Sequence, residues 1–453
     1  MRTRPAISWS DLSGASVGVW GLGIEGTANL RRLTELGADV TVVEDNPPDE
    51  PALGHDVLAL ADGGLEALAD RDVVVKTPGV RRRRPEVAHL EALGIPVVGG
   101  LGLWMQEAPR ERVVAITGTK GKSTTTAIAG HLLKALGYRT LVAGNIGRVP
   151  YDSPAPDDFD YAVIEVSSYQ ATDMATSPPV VAVTSLHPDH LDWHGGVEEY
   201  FRDKLSACTQ PGADLTVADG DSPLLRQRFA QLGPRVEWVH ADHDARSSWL
   251  EALGLPGAHN RRNAMIARAC LLGLGVPEAA DDDALAKASE GFQGLESRLR
   301  PIGAVAGVTF VDDSLSTNVL PTLAALDAYE TERVALLVGG HDRGIDYEPM
   351  AEALVARAAR AGAGEVAVFT LPENGARISA RLRQHPDAPA DVVDCGELGE
   401  AVRAGFLWAR KAGGVVLLSP AAPSFGHFRN YKARSAAFAE AMSRCAIEAA
   451  GAE

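Results

Sequence analysis

Short continuous apolar runs alternate with Ala/Leu-rich stretches of helical spacing along almost the whole chain. The runs include Ser16–Trp20, Val40–Val43, Val73–Val75, Val113–Ile116, Ala162–Val166, Val180–Thr184, Ala335–Val338, Val366–Phe369 and Val415–Leu418. A strand that is apolar at every position, rather than at alternate ones, is buried on both faces. With helices between the strands, that pattern predicts parallel α/β sheets. Three blocks follow from it. The first opens with a glycine-rich turn near Gly21 and the second with another near Gly118. The third begins after Gln293-Gly294-Leu295, with a new strand pattern over Val305–Val311. The expected domains are 1–108, 109–296 and 297–453. A chain of 453 residues has room for three domains of about 150 residues each.

Composition narrows the classes. Apolar residues make up 45% and charged residues 23%, as in ordinary globular chains. No apolar run approaches the ~20 residues of a membrane helix, and Met1 to Ser10 has no apolar core of a signal peptide. The expected location is the cytoplasm. Cys208, Cys270, Cys395 and Cys445 are far apart and form no CxxC pair, so they read as inert thiols in a reducing compartment. A net charge of −17 argues against a nucleic-acid partner, while leaving room for a locally basic anion site. The one basic run, Arg81 to Arg84, reads as a solvated surface segment, with a ligand-phosphate contact as the alternative.

The two glycine turns carry the first chemistry. Gly21-Leu22-Gly23-Ile24-Glu25-Gly26 follows an apolar run and leads into a helix, and the next run ends at the acids Glu44-Asp45. Such glycines let a helix N-terminus approach a pyrophosphate. A dinucleotide, a UDP-sugar and a purely structural turn all fit the string alone. Thr117-Gly118-Thr119-Lys120-Gly121-Lys122-Ser123-Thr124 is more specific, because Gly-Lys-Ser-Thr at a strand-to-helix turn has little packing value. Its backbone N–H groups would cradle phosphates, Lys122 would neutralise β/γ oxygens and Ser123 would take Mg²⁺. Glu165 ends a strand beside this turn, where an acid is well placed for Mg²⁺. The cluster His187-Pro188-Asp189-His190-Leu191-Asp192-Trp193-His194 has no paired thiols and no helical HExxH, so an oxygen-rich Mg²⁺ site suits it better than zinc. His190 is its best candidate. Lys204, taken alone, reads as a surface lysine on a helix.

The ordered strings G-L-G-I-E-G, T-G-T-K-G-K-S-T, E-V-S-S-Y-Q, H-P-D-H-L-D, F-R-D-K-L, G-A-H-N-R-R-N, D-D-S-L-S-T-N, G-G-H-D-R-G and L-S-P-A-A-P-S span nearly the whole chain. Together they resemble the Mur ligases, and within them the branch that joins glutamate to UDP-N-acetylmuramoyl-L-alanine in peptidoglycan synthesis. The resemblance implies three domains: a Rossmann-like UDP-binding domain, a P-loop ATPase domain and a Rossmann-like C-terminal domain. It places the UDP-substrate on Gly23, Ile24, Glu25, Glu44, Asp45, Thr77, Pro78, Gly79 and Asn145. ATP, the co-substrate, would bind Gly118, Thr119, Lys120, Gly121, Lys122, Ser123 and Thr124, with Asn260 and Asn263 at adenine and Asp313 at the ribose. Two Mg²⁺ ions would be held by Ser123, Glu165, His190 and Lys204, the last as a carbamate. Lys122, His190, Lys204 and Arg298 would carry catalysis, Arg298 at the γ-phosphate. Thr317, Arg343, Ser424 and Tyr431 would line the amino acid. A monomer is expected, with no membrane insertion.

Four departures from the D-glutamate-adding pattern stand out: Leu315 and Arg343 in place of lysines, Ser297 in place of a histidine, and Ser419-Pro420-Ala421-Ala422-Pro423-Ser424 in place of S-P-A-C-A-S, which changes Ala422 and Pro423. Placed around the amino-acid pocket, they resemble the branch that adds L-glutamate, in which a separate epimerase later inverts the residue. Drift within a D-glutamate enzyme is the alternative. An NAD-dependent dehydrogenase would leave the P-loop idle. A folylpolyglutamate synthetase would lack the first domain, and a non-enzymatic nucleotide switch would bind ATP without forming an amide.

Overall fold

The structure, a computed structural model, describes residues 4–48, 50–152, 158–241, 247–385 and 391–451. Met1 to Thr3, part of the N-terminal segment judged above, lie outside them. Each of three α/β domains is built on one sheet. The first has the order β3-β2-β1-β4-β5, from β1 (Ser16–Trp20), β2 (Asp39–Glu44), β3 (Val57–Ala59), β4 (Val73–Lys76) and β5 (Val97–Gly99). The second has the order β11-β10-β9-β6-β8-β7, from β6 (Val113–Thr117), β7 (Thr140–Gly144), β8 (Tyr161–Glu165), β9 (Val180–Val183), β10 (Leu215–Asp219) and β11 (Arg235–Val239). Every pairing in both is parallel. Parallel pairs need crossovers, and the Ala/Leu-rich stretches supply them as helices. The central strands β4, β6 and β9 are buried at every position, as continuous apolar runs require.

The third sheet has the order β12-β13-β17-β14-β15-β16. Its strands are β12 (Arg300–Val305), β13 (Val308–Asp312), β14 (Val334–Gly340), β15 (Val366–Glu373), β16 (Val392–Asp394) and β17 (Gly414–Leu418). The pattern over Val305–Val311 spans the turn of an antiparallel hairpin, β12 to β13. Ala306 and Gly307 both have positive φ (46° and 78°), the backbone that a two-residue hairpin turn requires.

The chain forms two compact units, one of residues 1–254 with 260–292 and the other of 255–259 with 293–453. In the first unit one apolar cluster runs through two sheets, from Val17, Val19 and Val75 to Ala115, Ile164 and Val183. Charged side chains reinforce that junction. The buried Lys76 ammonium pairs with Asp173, Arg31 forks onto Asp152 at 2.7 and 2.8 Å, and Arg83 forks onto Asp203 at 2.6 and 2.7 Å. The Arg81–Arg84 run is therefore not a solvated segment. Arg82 bonds Glu91 and the Val97 carbonyl, Arg84 pairs with Asp45 at 2.5 Å and lies over Trp20, and Arg81 alone of the four is exposed without such a partner among the described residues. Sequence spacing cannot show this, because the partners are distant in the chain.

All four cysteines are buried free thiols, and burial pushes Cys208 up to about 12. Among the described residues no helix is long and apolar enough to cross a membrane.

The first glycine turn is tight for one reason that can be tested. A Cβ on Gly26 would lie 2.0 Å from the Gly21 carbonyl oxygen, whereas one on Gly23 would meet nothing within 4 Å. Gly26→Ala should cost about 1–3 kcal/mol by forcing backbone apart, and Gly23→Ala should leave stability nearly unchanged. Urea unfolding of the two variants checks the contrast.

Candidate active site

The P-loop connects β6 to the helix Lys122–Ala135. Gly118 and Gly121 have φ of 135° and 90°. A Cβ on Gly118 would come 2.2 Å from Thr184 Oγ1, and one on Gly121 2.5 Å from Asn263 Oδ1. Glycine is thus needed twice, for the left-handed backbone and for close approach. Thr119 is buried beneath the turn, its hydroxyl 2.9 Å from Tyr200 Oη and accepting the His187 N–H at 3.0 Å. Lys120 Nζ lies 3.2 Å from Asp189. Lys122 Nζ donates to the Gly118 and Thr119 carbonyls at 2.9 and 3.2 Å, and Ser123 and Thr124 follow in the first turn of the helix.

Lys204 is not a surface lysine. It is 2% exposed and its Nζ donates to the Gly118 carbonyl at 2.9 Å. Burial holds its amine well below the usual lysine range. Lys122 and Lys120 push the same way, and Asp189 and Glu165 oppose them. The helix Val197–Leu205 is amphipathic in sequence, and Lys204 falls on its inner face with Tyr200 and Phe201. That face was the available signal.

Glu165 ends β8 and is 1% exposed. Its Oε1 accepts from Asn145 Nδ2 at 2.8 Å, and its Oε2 is buried with no hydrogen-bond partner. The backbone N–H of Asn145 donates to the Glu165 carbonyl at 2.9 Å, so an expected sugar-nucleotide residue and an expected metal ligand are bonded twice. His190 sits in left-handed backbone at φ 50°, a conformation that costs energy in a non-glycine residue. Burial lowers its pKa, Asp189 raises it, and Lys120, Lys204 and Lys122 lower it further. His194, which sequence reasoning passed over, is fully buried between Asp203 (2.8 Å) and Ser168 Oγ (3.0 Å). Asn260 and Asn263 are both buried, one helical turn apart, with Asn263 against Gly121.

Around the first glycine turn, Glu44 accepts the N–H groups of Leu22 (2.7 Å) and Asp45 (2.9 Å). Thr77 packs against Gly21 and Gly26, the Gly79 carbonyl faces Trp193 Nε1 at 3.4 Å, and Pro78 lies between them in the chain. Ile24 is 73% exposed, an apolar side chain left open beside the turn. Glu25 accepts from Gln170 Nε2 at 2.6 Å, while Gln170 Oε1 closes a capping box with Ser167.

In the second unit, Ser297 and Leu299 both have positive φ (58° and 46°). Ser297 Oγ donates to Asp312 at 3.0 Å and the Leu299 N–H to Asp313 at 3.0 Å, so Arg298 is presented between two tethered residues. Asp313 also accepts from Ser316 and, at 2.7 Å, Ser419. Burial pushes its carboxyl up to about 6, against those bonds. Ser424 lines a cavity of about 140 Å³ with Gly340, Phe425, His427 and Arg434. Arg343 is exposed, 5.8 Å from the Phe425 ring. Thr317 and Tyr431 do not line that cavity. The Leu315 N–H donates to the Ser297 carbonyl at 3.0 Å, which puts those two beside Arg298. Arg434 joins the neighbouring Ser314 carbonyl (2.7 Å) to the Ala422 carbonyl (3.1 Å), so the substituted segments at Leu315 and Ala422 share one buried guanidinium.

Burial raises the Glu25 carboxyl to about 7. The Gln170 bond opposes that, nearby Asp173 adds to it and Lys76 opposes it. A raised folded-state pKa contributes stability that is complete below about 4.5 and is lost as pH rises through about 7. Glu25→Gln should remove that loss. Its stability relative to the parent should rise by on the order of 2 kcal/mol between pH 5 and pH 8, after discounting for residual solvent access. Urea midpoints at the two pH values measure it.

The comparisons with known proteins agree on one family. Residues 116–252 match the Mur ligase middle domain. A UDP-N-acetylmuramoyl-L-alanine–L-glutamate ligase of Salinispora tropica is 41% identical, over 96% of this chain and 98% of that protein. One of Xanthomonas axonopodis pv. citri is 37% identical over 95% and 96%. Among solved structures, MurF from Acinetobacter baumannii aligns with TM-score 0.59 at 16% identity, covering 96% of this chain and 93% of that one. The UDP-N-acetylmuramate-alanine ligase MurC of Thermotoga maritima aligns with TM-score 0.55 at 20% identity, covering 95% and 99%. With relatives this similar over nearly its full length, the chain belongs to the Mur ligase family, among the UDP-N-acetylmuramoyl-L-alanine–L-glutamate ligases.

Proposed function

We propose that this protein is an ATP-dependent ligase that adds L-glutamate to UDP-N-acetylmuramoyl-L-alanine in the cytoplasm, in peptidoglycan synthesis. The observation that carries the reading is the buried Lys204 amine set on the Gly118 carbonyl, with Lys120 and Lys122 on the same turn. The L-isomer is supported by the relatives, whose names specify L-glutamate.

The chemistry must activate a carboxylate. The alanine carboxylate attacks the γ-phosphorus of ATP, the bond to the bridging oxygen of ADP breaks, and an acyl phosphate forms. The glutamate amine attacks the acyl carbon, phosphate leaves, and the nitrogen gives up a proton as the amide forms. Lys122 would lie along the β/γ oxygens and offset the charge that moves during transfer. Asn145, bonded to Glu165, would orient the sugar-nucleotide beside the phosphates. Gly23, Ile24, Glu25, Glu44, Asp45, Thr77, Pro78 and Gly79 would hold its UDP end. Asn260 and Asn263 would meet adenine. The roles expected of Arg298, Asp313, Thr317, Arg343, Ser424 and Tyr431, and boundaries at 108/109 and 296/297, belong to the same proposal.

Mg²⁺ fits these residues in a limited way. Among the described residues no three His, Cys, Asp or Glu converge on a metal position. Mg²⁺ commonly takes one or two carboxylates plus phosphate oxygens and water, and the orphaned Glu165 Oε2 with Ser123 offers that partial shell. His190 and Lys204 would complete a second position. The ions, when bound, would withdraw charge from the phosphate oxygens. Burial shifts the Lys204 amine toward the uncharged form that takes up CO₂, so carbamylation of Lys204 fits its surroundings. A monomer and a downstream epimerase complete the reading.

Phosphate release should require UDP-N-acetylmuramoyl-L-alanine, ATP and L-glutamate, with product mass confirming the amide. Lys204→Ala should lower kcat on the order of 10²-fold or more while the protein stays folded. Product with D-glutamate alone would sink the L-isomer reading, and no product with either isomer would sink the ligase reading.

A further inference from the structure

A cavity of about 390 Å³ opens in the first unit, lined in part by the Arg83–Asp203 pair and by no residue of either glycine turn. Four guanidiniums line it, from Arg4, Arg82, Arg83 and Arg202, against the carboxylates of Glu91 and Asp203. Two of the four belong to the Arg81–Arg84 run, which the ligase reading leaves unused. The charges are not balanced. Arg82 is paired with Glu91 and lies 3.5 Å from Asp173, a carboxylate already held by Lys76. Arg83 is paired with Asp203, and Arg202 reaches Glu199 at 3.4 Å. Arg4 forms no direct ion pair with any described residue; burial and then Arg82 lower its pKa, and Asp173, Glu91 and Asp203, each already paired with another cation, oppose them from farther off.

An arginine does not relieve such a position by losing its proton, because its pKa lies too high. A partly buried guanidinium whose nearby carboxylates are all engaged by other cations therefore gains from an anion in direct contact. The cavity has the volume of a small-ligand site. The side chains of Arg83 and Arg202 are 44% and 48% exposed, so the wall is reachable from solvent. Among the described residues Arg202 is ion-paired with Glu199 alone, a half-buried neighbour one turn away, and can turn to a ligand at little cost. We propose that this cavity binds a small multiply charged anion, an oligophosphate or a polycarboxylate, between Arg4 and Arg202.

Arg82 and Arg83 are poor test positions, since removing either leaves a buried carboxylate unpaired. Arg4→Ala, Arg202→Ala and the double variant avoid that. Pyrophosphate and, separately, citrate would be titrated calorimetrically into the full chain, in metal-free buffer of fixed ionic strength with saturating ADP on the P-loop. The expected result is saturable binding of at least one probe, about tenfold weaker in each single variant and lost in the double variant, whose urea midpoint matches the parent. Pyrophosphate alone would mark an oligophosphate site and citrate alone a polycarboxylate site. Absence of saturable binding of both probes, or undiminished binding by the double variant, would overturn the proposal.

Discussion

Three lysine amines share the space around one glycine-rich turn, and their mutual repulsion governs the rest of the site. Lys120 and Lys122 belong to the turn itself, and Lys204 arrives from a separate helix to bond the Gly118 carbonyl. Asp189 and Glu165 oppose their effect on Lys204, and Glu165 keeps one buried oxygen without a hydrogen bond among the described residues. A buried amine beside two cations is most easily neutral. The same field, with burial, holds His190 below its ordinary pKa. The two cations beside Lys204 thus act in the same direction as burial, and both lower its amine.

The turn can carry that charge because the surrounding frame is rigid. Asp203 is the residue before Lys204, and it is fixed by Arg83 from the first domain and His194 from the second. Burying an ion pair is weak evidence of net stability. Its use here is positional: two chain segments cannot slide without stranding a charge. The Lys76–Asp173 pair acts in the same way at the end of β4, where Gly99 and Gly102 make room for Asp173. The first glycine turn and the P-loop are therefore held in register by electrostatics laid over a shared apolar core.

Most of this frame was legible from the residues alone. Apolar runs gave the central strands, and the two glycine strings gave both phosphate-type turns, because local backbone demands leave local marks. The short edge strands β3, β5 and β16 carry little periodicity and were not named, and neither were the five-residue strands β7, β10 and β11, in which polar residues interrupt or end the apolar run. The burial of Lys204 and the engagement of Arg82 to Arg84 were misread for a different reason. Both depend on partners more than a local window away: Gly118 for the lysine, Asp203 for Arg83, Asp45 for Arg84. Lys76 left a trace that was overlooked, a single cation closing an otherwise apolar strand.

The departures from the D-glutamate pattern divide by what they touch. Ser297 is short enough to reach Asp312, which also takes the Ser314 and Ser435 hydroxyls at 2.6 and 2.5 Å. Leu315 donates its N–H to the Ser297 carbonyl. These two changes lie in the segment that presents Arg298, and Arg434 ties that segment to Ala422 by donating to the Ser314 carbonyl at 2.7 Å. Arg343 and Ala422-Pro423 differ. The Pro423 carbonyl accepts the His341 N–H at 3.0 Å, and Arg434 clamps the Ala422 carbonyl at 3.1 Å beside the cavity that Ser424 lines. A planar guanidinium over Phe425 binds a carboxylate by a fork where an ammonium offers a point charge. Inverting the α-carbon of glutamate moves one carboxylate relative to the amine. The substituted segments are thus not independent, because the buried Arg434 donates to the Ser314 and Ala422 carbonyls and a shift in one is passed to the other.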